Sequence, residues 1–94
     1  MGQAQSTRLA DDQRVRVTSW SFGRDDSTGQ HHHRLDYVVV PVTGGTFDVT
    51  ASDGGVAAMT QEKGVPYFRH SGAVHDVRST TEGEVVFIEI EFKK

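Results

Sequence analysis

No cysteine occurs anywhere in the chain, so disulfides, thiolate nucleophiles and cysteine-ligated zinc are excluded. Hydrophobic runs are short, and none approaches the length that spans a bilayer. Basic residues are in slight deficit, with ten Lys and Arg against thirteen Asp and Glu for a net charge of −3. They are scattered rather than gathered into the basic face that a nucleic-acid partner requires. The first residues lack the apolar core of a secretory leader, which points to a cytoplasmic protein. They match the pattern that directs myristoylation of Gly2, although a polar tail is the plainer reading.

What remains is a chain of 94 residues, enough for one small domain that buries a modest share of its surface. Residues 1–13 are polar, mixed in charge and read as a flexible tail, leaving residues 14–94 as the single domain. Strand signals then follow at short intervals. Val15 and Val17 alternate with Arg14 and Arg16, while Trp20 and Phe22 fall on the opposite parity, as at a bulge or a second buried face such as a dimer contact. Gly23 to Gln30 is loop. His31 to Val42 carries the strongest strand pattern, closed by the turn at Gly44 and Gly45. Further short strands are expected through Phe47 and Val49, from Val56 to Lys63, and on either side of Ser71 and Gly72. The last strand places Val86, Ile88, Ile90 and Phe92 on one face, with Glu89 and Glu91 on the wet side. About eight short strands with frequent turns and no helix predict an all-β sandwich or barrel.

The run His31-His32-His33 is the chemical feature of this pattern. Side chains alternate along a strand, so His31 and His33 share one face with Leu35, Tyr37 and Val39, while His32 faces away. Either the run is an exposed strand end, or two imidazoles point into a barrel and chelate one divalent ion, with His75 from a later strand as third ligand.

The chain resembles a small single-domain cupin of the RmlC-like superfamily. His31 and His33 match the histidine pair of that family's first motif, and Gly45 matches its closing glycine. Gly64, Gly72 and His75 fall in register with the second motif, where His70 replaces a proline and Ser79 an asparagine. Within the family the chain is similar to stand-alone cupins associated with amino-acid (β-alanine) degradation. The resemblance implies a double-stranded β-helix, or jelly-roll, barrel and a metal site of His31, His33 and His75. The motif's glutamate is missing. Tyr37 and Val38 occupy its two usual positions, Asp36 is one residue early and on the other face, and the opening glycine is displaced to Gly23 or Gly29. Tyr37 is then a fourth ligand or a hydrogen-bonding lid and the candidate catalytic residue. Neutral ligands suit iron, zinc, nickel, copper or manganese better than magnesium or calcium.

Tyr67 and Arg69 are the candidate substrate-binding residues, because an inward arginine presents a planar fork to a carboxylate. The implied function is binding, with or without transformation, of a small polar or carboxylate-bearing molecule. A metal-dependent dioxygenase or isomerase and a non-catalytic sensing module both fit these residues, and a scaffold with vestigial histidines is the third reading. Pairing into a homodimer is expected, with Trp20 and Phe22 as its apolar contact.

Overall fold

The computed structural model describes residues 2–93, so Met1 and Lys94, the two ends of the expected tail and domain, lie outside the described residues. Nine strands follow in order: β1 (Gln5–Asp11), β2 (Val15–Phe22), β3 (His31–His32), β4 (Tyr37–Pro41), β5 (Gly45–Ala51), β6 (Val56–Gln61), β7 (Tyr67–Arg69), β8 (Val74–Ser79) and β9 (Val85–Phe92). They form a five-stranded sheet, β1-β2-β9-β4-β7, packed against a four-stranded sheet, β3-β8-β5-β6. Every ladder between named strands is antiparallel. The described residues contain no helix, hence none long and apolar enough to cross a membrane.

One closed end of the barrel holds an aromatic core. Phe22 and Phe47 meet edge to face with centroids 5.3 Å apart, and Phe87 lies 5.5 Å from Phe22. Val39, Val77 and Val85 fill the space around these rings. Gly45 starts β5 against this core, and a Cβ there would sit 2.9 Å from both Val85 Cγ2 and Thr81 Oγ1. A bare backbone is therefore required where β5 enters the barrel.

Three expectations are corrected. Gln5–Asp11 is not a loose tail: it pairs with β2 along its length, interrupted by a register shift between Arg8 and Ala10. Its residues are all exposed, so the strand is held by its backbone ladder and leaves no apolar alternation to read. Trp20 and Phe22 mark neither a bulge nor a dimer contact. β2 pairs with β9 without a register shift, and Phe22 is wholly buried in the core. The third correction concerns β9. Val85 and Phe87 point inward, so by alternation Glu89 and Glu91 also face the barrel interior. Val86, Ile88, Ile90 and Phe92 form the outer face instead.

The core trio makes a direct prediction. Phe22→Ala removes a ring that has no room to be replaced by water, and should cost about 3–5 kcal/mol of folding stability. Urea denaturation read by near-ultraviolet circular dichroism measures it, and a loss below about 1 kcal/mol would show that this packing does not hold the barrel closed.

Candidate metal centre

β3 and β8 are short neighbours whose register places His31 directly opposite His75. His33 follows the last residue of β3 and is fixed by its backbone. Its N–H donates to the Ala73 carbonyl at 2.8 Å, and its carbonyl accepts from the Gly72 N–H at 2.7 Å. Gly72 has a φ of +107°, a conformation that favours glycine in the turn leading into β8. Asp36 is used nearby, accepting from the Ser71 N–H at 2.7 Å. It therefore clamps the same turn and is not a ligand.

The result is a cluster in which ring nitrogens of His31, His33 and His75 all lie within 4.8 Å of one another. His31 Nε2 and His33 Nε2 are 3.0 Å apart. His31 Nδ1 lies 2.9 Å from the Gly29 carbonyl, which can only accept, so Nδ1 carries the proton and Nε2 presents a lone pair to the centre. A backbone carbonyl holding the outer nitrogen is the usual arrangement behind a metal-ligating imidazole. His33 and His75 are held neutral, their pKa values lowered to about 4 by burial first and by neighbouring imidazoles second. Three converging nitrogen donors, two of them held neutral by burial, fit a divalent transition metal.

The cluster opens onto a cavity of about 220 Å³, lined on its apolar side by Trp20, Val39, Val49, Met59, Val77 and Phe87. Tyr37 is buried and stacks on His33 with centroids 4.1 Å apart. Burial, reinforced by Glu89, pushes its hydroxyl up to about 12, so it stays protonated. Tyr67 and Arg69 both line the cavity from β7, with the Arg69 guanidinium 4.4 Å above the Tyr67 ring. Arg69 is exposed at the rim and His32 is exposed outside the cavity. His70 lies at the rim in edge contact with Phe68.

Sequence reasoning missed Glu89, Glu91 and Gln61. Glu89 lines the cavity, and burial, reinforced by Glu91, raises its carboxyl to about 7, while the Trp20 indole N–H pulls the other way. Its donor atoms group with those of His33 and Glu91, a set that shares only His33 with the three-histidine cluster. Continuing the inward parity of Val85 and Phe87 along β9 would have found both carboxylates. Gln61 is 3 % exposed, and its Nε2 donates to the Tyr67 hydroxyl at 2.9 Å. A buried glutamine among exposed residues leaves no signal in the pattern of β6.

No protein-family model matches the chain. The beta-alanine degradation protein BauB of Pseudomonas aeruginosa is 42 % identical over 91 residues, spanning 97 % of this chain and 95 % of that protein. A cupin domain from Bordetella pertussis, solved by crystallography, is 39 % identical with a TM-score of 0.94, covering 99 % of this chain and 96 % of that one. The chain belongs to the cupins. A more distant cupin from Desulfitobacterium hafniense, 16 % identical over 98 % of this chain and 79 % of its own, keeps the fold with a TM-score of 0.74. The cupin barrel and its three-histidine cluster thus stand together in this chain.

The depressed imidazoles set a pH dependence for the metal-free protein. Between pH 6.5 and about 4 the unfolded chain takes up protons at these positions while native His33 and His75 do not, so their contribution to stability is lost as pH falls through that window. Glu89, held protonated in the fold, acts with the opposite sign. The comparison is therefore differential: His75→Gln should flatten the fall in urea midpoint seen in the wild type below pH 6.5. Parallel curves would mean that the imidazole at position 75 is solvated.

Proposed function

We propose that this cupin binds a divalent transition metal, one of iron, zinc, nickel, copper or manganese, through His31, His33 and His75. Beside it the cavity takes a small carboxylate-bearing molecule. The observation that carries this reading is the convergence of three ring nitrogens at the wall of a cavity. A bound ion there would supply Lewis acidity, or a site for dioxygen if it is iron.

The chain's own residues define the rest. Arg69 offers its guanidinium fork to a carboxylate at the rim, and Tyr67 supports that fork from beneath. The protonated Tyr37 hydroxyl is carried by the ring stacked on His33, and we assign it the catalytic or ligand-orienting role. Trp20, Val39 and Phe87 keep water from the inner end of the cavity. BauB carries the name of β-alanine degradation, and an acid of that size suits a cavity of about 220 Å³.

We also propose a homodimer through the outer face of the five-stranded sheet. Cross-strand partners Val17, Ile90 and Val38 run across its middle, with Val40 and Ile88 beside them. Its five strands, of three to eight residues, present on the order of 500 Å², which makes the face the core of an interface of standard size, ~800 Å² per partner. Ile90→Arg should convert the dimer to a folded monomer in sedimentation velocity at micromolar concentration, and a monomeric wild type would refute the pairing.

Elemental analysis tests the metal. Purified protein should carry about one transition-metal ion per chain, and His33→Ala should lose it, with a fall in affinity of at least ~100-fold. Equal metal content in both would remove the site. Oxygen uptake with iron restored then separates an enzyme, which consumes oxygen with its acid substrate, from a binding module, which does not.

A further inference from the structure

Two ionisable side chains of opposite sign line the same cavity. Among the described residues, neither Arg69 nor Glu89 takes part in an ion pair. Glu91, by contrast, is matched to Arg16 at 3.7 Å. Arg69 spends one Nη1 hydrogen on the Phe68 carbonyl and rests on the Tyr67 ring, which leaves the rest of its fork unused. Leaving a carboxylate half-buried with no cation is costly unless something else supplies the charge.

The sheet explains why the two do not neutralise each other. β4 lies between β7 and β9, with Tyr37 opposite Arg69 and Val39 opposite both Tyr67 and Glu89. Arg69 and Glu89 are therefore two strands apart laterally and one inward position apart along the chain, roughly 12 Å between backbones at ordinary sheet spacing. Their side chains line one cavity from opposite sides of Tyr37 and form no ion pair with each other. The wall between them is apolar, formed by Val39 and the Tyr37 ring.

The geometry points to a ligand that carries both charges: we propose that this cavity selects a short ω-amino acid, its carboxylate at Arg69 and its ammonium at Glu89, with the carbon chain against Val39 and Tyr37. The inference rests on the cavity and the carboxylate role of Arg69 proposed above, and it adds Glu89 as the residue that determines specificity. An α-amino acid carries both charges on a single carbon, one methylene fewer than β-alanine, and spans a shorter gap between the two groups. A simple carboxylic acid leaves Glu89 unmatched.

Calorimetric titration of the full chain, metal-restored and metal-free, with β-alanine, L-alanine, propionate and propylamine near neutral pH tests this. The wild type should bind β-alanine at least about tenfold more tightly than each of the others, the size expected of one charged hydrogen bond. Glu89→Gln, which keeps the shape, should lower β-alanine affinity about tenfold and leave propionate unchanged. Arg69→Met should weaken β-alanine and propionate together. Equal affinity of the wild type for β-alanine and propionate overturns the proposal, as does no binding of any of the four. A Glu89→Gln variant that loses metal while keeping its preference for β-alanine overturns it too, since the carboxylate would then serve the ion. Metal content measured on the same samples keeps this separate from the three-histidine reading: a chain that binds no metal yet discriminates β-alanine retains the charge-pair inference alone.

Discussion

β9 runs through the middle of the five-stranded sheet, paired along its whole length with β2 and over five residues with β4. Its alternation cannot be altered locally, because a slip of one residue would exchange its two faces. The inward set begins as core, with Val85 and Phe87, and continues as cavity wall at Glu89, with Glu91 beyond it beside His33. The same register that packs Phe87 against Phe22 and Phe47 therefore brings a carboxyl beside His33. Core and cavity are two ends of one strand face, and neither can be moved without the other.

That shared face explains the electrostatic character of the site. Walls of Trp20, Val39, Val77 and Phe87 strip water from the groups set among them, which lowers the pKa of His33 and His75 and raises those of Glu89 and Tyr37. Each shift favours the uncharged form. Such an arrangement costs stability that an all-apolar core would not. It keeps lone pairs and protons available at a defined place, as a binding site requires.

Fold class was legible because strand period, turn spacing and the absence of any helical face agree across the chain. His31, His33 and His75 were legible by their spacing from Gly45, Gly64 and Gly72, whose backbones the barrel needs at entry and turn. Parity was not legible. In β2 and β9 the more continuous apolar stripe lies outside, so Val15, Val17, Ile88 and Ile90 imitate a core face while Trp20, Phe22, Glu89 and Glu91 hold the interior. Sequence alternation reports that two faces differ; which one is inside depends on the sheet packed opposite. β1 escaped for another reason, since a strand held only by its ladder has no burial pattern to show.

The displaced carboxylate has a chemical consequence. In the resembling motif a glutamate follows the histidine pair, and here Tyr37 and Val38 take its places while Asp36 is committed to the Ser71 N–H. The three-histidine cluster thus brings no negative charge of its own to a divalent cation. Glu89 stands in the same cavity, yet it groups with His33 alone of the three ligands. Such an ion would keep a net positive charge, which an anionic ligand group is best able to offset. Arg69 adds a second cation at the rim. Under the proposed function, a preference for an acid would follow from a metal site that has no carboxylate of its own, and under the charge-pair proposal Glu89 would read the opposite end of the molecule.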